Sequence, residues 1–253
     1  MPDTIKTAEH IGIMREGGRL LAGIMERVKE RAVAGARLND LDRLAHDLMR
    51  TAGGTPSFLG YRPAGATKTY SASICASVND TVVHGVPNAY ALADGDVLKL
   101  DFGFFYKGFH TDAAFTIGIG TISPAAERLI GATRRALAAG IRHAREGNTL
   151  GDIGNAIETT VRTSGFHIAD QLTGHGIGTR LHEDPHVFNT GMPGKGMRLV
   201  PGMVLALEPM AAIGTSRVVQ QNDDSFVTVD GSIAAHFEHT IAITKSGPEI
   251  LTQ

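Results

Sequence analysis

The stretch Val97–Ile119, VLKLDFGFFYKGFHTDAAFTIGI, constrains the fold more than any other because it writes two acids into what reads as a β-hairpin. Alternation along the first strand puts Leu98, Leu100, Phe102 and Phe104 on one face and Asp101 on the other, with Val97, Lys99 and Gly103. In the second strand Ala113, Phe115, Ile117 and Ile119 form the apolar face, and Asp112 points away from them. A turn near Tyr106-Lys107-Gly108 joins the strands. A register centred on Tyr106/Lys107 sets Asp101 directly across from Asp112, with Cβ atoms about 4.5–5.5 Å apart. Like charges so placed repel, and the pair needs a shared proton or a bound cation.

Two further strands decide between these. Val204-Leu205-Ala206-Leu207-Glu208 restates Val97-Leu98-Lys99-Leu100-Asp101, with the acid at the same strand position and a glycine two places before each valine (Gly202, Gly95). Near the C-terminus, His236-Phe237-Glu238 followed by Thr240-Ile241-Ala242-Ile243 echoes His110-Thr111-Asp112 followed by Thr116-Ile117-Gly118-Ile119. Four strand-borne acids are too many for a proton-sharing dyad. They match a two-metal site, where ions about 3.5–4 Å apart need bridging and terminal oxygen ligands.

The helices repeat as well. Thr7 reads as the N-cap of a first helix carrying Ile11, Met14, Leu21, Met25 and Val28, and a second helix from about Asn39 stops at Gly53-Gly54. Ser123 and Pro124 open a third as N-cap and N1, and Thr149 opens a fourth that Gly165 ends. Gly35-x-x-Leu38-x-Asp40-Leu41 returns as Gly147-x-x-Leu150-x-Asp152-Ile153, and Arg50-Thr51-x-Gly53 as Arg162-Thr163-x-Gly165. Helix, helix, then acid-bearing strands is thus written twice, about 7–119 and 123–245. Nothing linker-like separates the halves, so the reading is a single domain over 1–253, α+β, with pseudo-two-fold helix-helix-strand units on a mixed or antiparallel sheet. At 253 residues and 42% hydrophobic content the chain can bury a full core.

Composition excludes several classes. Formal charge is −2 and no Lys/Arg run exceeds two residues, which disfavours nucleic acid and acidic membranes. Cys75 is the sole cysteine, so an intramolecular disulfide or a CxxC site is impossible, and a reducing cytoplasm fits. No signal-peptide pattern opens the chain, and nowhere do 18 apolar residues run together.

Between the halves lies Thr173-Gly174-His175-Gly176-Ile177-Gly178, where glycines on both sides let a backbone carrying an imidazole approach other strands closely. His175 is the best nitrogen ligand for the acids, and carboxylates with imidazole suit Mn, Co, Fe or Zn. His182-Glu183-Asp184-Pro185-His186 spells HExxH, but Pro185 denies it the helix that motif requires. The Gly-x-Gly-x-Gly run lacks the following helix of a dinucleotide site. His84, in Val78-Asn79-Asp80-Thr81-Val82-Val83-His84-Gly85, is open between ending a strand and serving a site.

These motifs, in this order, resemble the bacterial type I methionine aminopeptidases of the pita-bread fold along nearly the whole chain: VNDTVVHG around His84, the Asp101/Asp112 hairpin, GHGIG around His175, LEPM around Glu208 and FEHT around Glu238. The interval from His182 to Glu208 is too short for the type II insertion, and no added N-terminal domain precedes the first helix. The resemblance implies two divalent ions per chain, ligated by Asp101, Asp112, His175, Glu208 and Glu238, with Asp112 and Glu238 bridging. It implies a metal-activated water attacking the first peptide carbonyl, Glu208 shuttling the proton, His182 bonding the carbonyl oxygen and His84 the leaving amide nitrogen. The implied substrate is the initiator methionine of nascent polypeptide N-termini, at the ribosome, before a small second residue, with the enzyme a cytoplasmic monomer.

The departures from that family bear on specificity. The chain has no Trp for the loop before the last strand, where Phe226 stands in, and Phe58 occupies a pocket position that is Cys in many relatives. Arg62 to Thr69 reads as a short insertion at the same rim. The rival readings are a prolidase-like enzyme with the same five ligands, which usually carries an extra N-terminal domain, and a non-catalytic pita-bread binding module, which usually loses ligands.

Overall fold

The computed structural model describes residues 5–62 and 68–253. There are four helices among the described residues, α1 (Ala8–Lys29), α2 (Leu38–Thr51), α3 (Pro124–His143) and α4 (Leu150–Thr163); α1, α3 and α4 begin where their caps are written, while α2 starts after Arg37, whose side chain caps nothing. Thr7 accepts the His10 amide and Ser123 the Ala126 amide, each through its hydroxyl at 3.2 Å. Gly53 and Gly165, with φ of 82° and 83°, take the left-handed turn that ends α2 and α4.

The early strands are β1 (Thr55–Pro56), β2 (Cys75–Val78), β3 (Thr81–Val83), β4 (Val97–Tyr106) and β5 (Phe109–Gly118). After α4 come β6 (His167–Ile168), β7 (Thr173–Gly176), β8 (Glu183–Phe188), β9 (Val204–Leu207) and β10 (Met210–Ala212). The last are β11 (Val218–Gln220), β12 (Phe226–Thr228), β13 (Ala234–His236), β14 (Glu238–Thr244) and β15 (Gly247–Ile250). The main sheet runs β1-β4-β5-β14-β9-β7-β8, with β2 also on β4 and β15 also on β14. Every ladder among the described residues is antiparallel. The path β2-β4-β5-β14-β9-β7 reads the same way from both ends, with the two halves of the chain meeting at the β5·β14 seam.

The apolar faces lie where alternation put them. Leu98, Leu100, Phe102 and Phe104 pack with Leu21, Leu41, Leu48 and Met49 from α1 and α2, while Leu205, Leu207, Ile241 and Ile243 pack with Leu129, Ile153, Ile157 and Val161 from α3 and α4. Helices therefore cover one face of the sheet and leave the acids on the other. Short three-stranded sheets, β13-β10-β6 and β11-β12-β3, complete the fold. Among the described residues, no helix is long and apolar enough to cross a membrane.

The hairpin register differs from the sequence expectation. Tyr106 pairs with Phe109, so the turn is the two residues Lys107 and Gly108, both at positive φ (49° and 90°), the twist a tight hairpin prefers. Asp101 consequently faces Ala114, and Asp112 faces Gly103. The slip is two residues, which preserves the face of each side chain and makes the acids diagonal rather than direct neighbours.

Candidate metal centre

Five adjacent strands deliver the site. Asp101 on β4 faces Ala114 on β5, which faces Glu238 at the start of β14; Leu207 faces His239, so Glu208 leaves β9 beside Glu238. Asp112 lies two residues along β5, and His175 on β7 faces Ala206 of β9. One sheet face thus gathers the four acids and the imidazole that the sequence singled out. The glycines around His175 act as expected: a Cβ on Gly174 would strike the Ala206 carbonyl, and one on Gly176 the Asp184 carbonyl.

The contacts are those of a cation-binding donor set. His175 Nε2 lies 3.5 Å from Glu208 Oε1, and its Nδ1 lies 2.9 Å from the Gly176 carbonyl; a proton held there leaves Nε2 a free lone pair toward the acids. Ligand atoms of Asp112, His175 and Glu238 all lie within 4.8 Å of one another, as do those of Glu208, His236 and Glu238. Asp101 Oδ1, Asp112 Oδ1 and Glu238 Oε1 are buried without a hydrogen-bond partner. Lysine does not neutralise the cluster: buried Lys6 pairs with Glu183 at 2.6 Å, and buried Lys99 donates to the Asn79 carbonyl.

Electrostatics favour the same fit. Burial pushes the Asp101 carboxyl up to about 7, against a hydrogen bond to Asp112. Burial raises Asp112, Glu208 and Glu238 well above the carboxylate range, reinforced in each by its acidic neighbours. Burial holds His175 down at about 4, hence neutral. Unpaired buried oxygens beside a neutral imidazole, with no Lys or Arg ion pair to them among the described residues, suit borderline divalent ions. Protons compete with such ions for the same oxygens. Below a pKa near 7 each pH unit costs about tenfold per group, so affinity for Mn²⁺ or Co²⁺ should fall at least about tenfold from roughly pH 7.5 to 5.5 by calorimetry. Equal affinity at both would contradict the ligand assignment.

The remaining named residues line the surroundings. His182 immediately precedes β8, held by Glu183, whose carboxylate accepts from Lys6 and from the Arg180 amide at 3.0 Å. Its ring sits edge-on to His175 at 4.4 Å, and burial and the nearby histidines lower its pKa. His84 follows β3 at φ 60° and meets Phe226 edge-on at 5.8 Å. His84 is exposed as a residue, yet the protein crowded around its imidazole lowers its pKa, opposed by Asp224. Phe58 is buried against Gly103, the residue facing Asp112, and edge-on to Tyr70 at 6.3 Å. The insertion read over Arg62 to Thr69 falls largely on 63–67, outside the described residues.

Three participants carried no role in the sequence reading. His236 is buried, with Nε2 lacking a hydrogen bond and lying 3.7 Å from Glu208 and 3.9 Å from Glu238. The Thr240 hydroxyl accepts the Asp112 amide and donates to its carbonyl, both at 2.8 Å, pinning a ligand strand across the seam. Tyr61 OH lies 2.6 Å from His182 Nδ1 and fixes that ring. The HFEHT echo contained His236 and Thr240, but only as members of a strand pattern; Tyr61 gave no signal.

A carboxylate–imidazole cluster on such a sheet defines a metal-dependent hydrolase of the pita-bread fold. The chain matches metallopeptidase family M24 over residues 12–245 and belongs to that family. It is 43% identical to the methionine aminopeptidase of Clostridium perfringens, covering 98% of each chain, and 44% identical to methionine aminopeptidase 1 of Mycobacterium tuberculosis, covering 98% of this chain and 94% of that one. Methionine aminopeptidase from Thermotoga maritima superposes with a TM-score of 0.94 at 39% identity, over 98% of both chains. Prolidase from Pyrococcus furiosus shares the fold at 0.80 and 20% identity, with this chain spanning 65% of it.

Proposed function

We propose that the chain is a methionine aminopeptidase that removes the initiator methionine from proteins and peptides, preferably before a small second residue. The observation that carries this is the convergence of four acids, two of them buried and two half-buried, and a neutral imidazole, joined to the full-length likeness to enzymes of that name. Two divalent ions, of Co, Mn, Fe or Zn, would supply a water acidified toward neutral pKa and polarise the peptide carbonyl. In this reading Asp112 and Glu238 would serve both ions, with Asp101 completing the ligands of one and His175 and Glu208 those of the other. Glu208, less enclosed than Asp112 and Glu238, carries the proton toward the amine. His182, its ring fixed by Tyr61, donates to the carbonyl oxygen, and His84 to the leaving nitrogen.

Phe58 and Phe226 flank the first side chain, and nascent polypeptide N-termini, met at the ribosome by a cytoplasmic monomer, are the natural partners. The paired 14-residue helices α2 and α4 and the symmetric strand path support two copies, 7–119 and 123–245, within one catalytic domain. The test is release of free Met from Met-Ala-Ser by the metal-loaded protein, with metal content measured; no release at full metal content would refute it. With Met, norleucine and Leu as first residue, kcat/KM should fall in that order; faster Leu cleavage would overturn the Met assignment.

A further inference from the structure

Lys99 is among the largest side chains in the protein with almost no exposure, 1%, and it stands on the face of β4 that carries Asp101, two residues away. Its ammonium is bonded to backbone carbonyls, close enough to His236 for its charge to be felt there. Nζ donates to the Asn79 carbonyl at 2.6 Å and, more weakly, to that of Val97 at 3.4 Å. An apolar chain of that length would fill the space without desolvating a charge, so what the ammonium adds is its grip on Asn79.

Asn79 is where three functional segments meet. It forms the β2–β3 turn at φ 52°, and that hairpin ends at His84. Its amide donates to Val97 O at 2.8 Å, its Oδ1 accepts the Val97 amide at 2.9 Å, and its Nδ2 donates to Asp96 Oδ1 at 2.9 Å, which ties the turn to β4. Its carbonyl also accepts the Ala234 amide at 3.0 Å, from the strand that leads to His236 and Glu238. Ser77, which faces Lys99 in the β2·β4 ladder, holds the Gly85 amide at 3.0 Å, one residue past His84. Burial lowers the Lys99 pKa to about 7, and Asp80 and Asp96 oppose that by favouring the charged form.

We propose that Lys99 is a positioning residue whose buried ammonium clamps the Asn79 carbonyl and thereby holds the hairpin presenting His84 in register with the acid-bearing strands. The inference rests on the aminopeptidase reading for its kinetic consequence. A displacement of His84 by about 1 Å would cost up to about a hundredfold in turnover without touching a metal ligand.

The test compares metal-loaded Lys99→Met and Lys99→Gln with wild type. Lys99→Met should lose at least about tenfold in kcat on Met-Ala-Ser with KM within about threefold and unchanged Mn²⁺ affinity; Lys99→Gln, which retains an N–H donor, should recover part of the loss and carries the test if the Met variant does not fold. Because Lys99 acts through His84, Lys99→Met should add nothing in a His84→Ala background. Amide exchange across residues 79–84 should also quicken in Lys99→Met while α1 to α4 keep their protection. Wild-type kcat in the variants, losses that multiply with His84→Ala, or unchanged exchange would overturn the clamp. An inactive wild type would refute the aminopeptidase reading alone, and the exchange comparison would still decide the clamp.

Discussion

Asp112→Ala is expected to leave the folded protein without its metal and without turnover. Asp112 sits at the β5·β14 seam, and its side chain lies within ligand distance of both His175 and Glu238. On the proposed two-ion reading, removing Asp112 would deprive both ions at once, whereas removing Asp101 would weaken one. Loss of activity should therefore exceed about a thousandfold, equivalent to about 4 kcal/mol of transition-state stabilisation. The fold should persist, because the Asp112 carboxylate is itself a buried, repelled group whose burial and acidic neighbours oppose ionisation. Its backbone anchor to Thr240 does not involve the side chain. Metal analysis with a thermal melt checks both halves: full occupancy in Asp112→Ala would reject it as a bridging ligand, and a cooperative melt would exclude unfolding as the cause of metal loss.

Local chemistry made much of this molecule readable from residues alone. Thr7, Ser123-Pro124, Gly53 and Gly165 mark helix ends because caps act within one turn. Period-two alternation fixed which face each acid occupies, and that assignment survived the two-residue slip because parity did. The slip arose at Lys107, since a lysine at positive φ is uncommon and the Lys-Gly pair does not announce the tight turn it forms. Thr240 and Asp112 are 128 positions apart, and Tyr61 and His182 are 121 apart; contacts at that range depend on strand order, which no local pattern encodes. Lys99 shows the same limit: alternation placed it beside Asp101, and only the β2–β3 turn packed against β4 explains where its ammonium goes.

His84→Ala should separate chemistry from metal binding. Its imidazole lies outside both close-packed ligand groups, so Mn²⁺ or Co²⁺ content is expected to match wild type. Loss of a hydrogen-bond donor aimed at charge developing in the transition state costs about 10²–10³ in kcat, or about 2.7–4 kcal/mol. On the proposed reading KM should change much less, because Phe58 and Phe226, which would flank the first side chain, are both still present. Backbone strain supplies the necessary control: residue 84 sits at φ 60°, where alanine is less at ease than histidine or asparagine, so His84→Asn should keep the backbone and still lose turnover. If His84→Asn retained wild-type kcat, the imidazole would have no part in the reaction. If either variant lost its metal, His84 would belong to the ligand shell instead. A large fall in kcat at constant metal content and nearly constant KM is the pattern that assigns His84 to the leaving group.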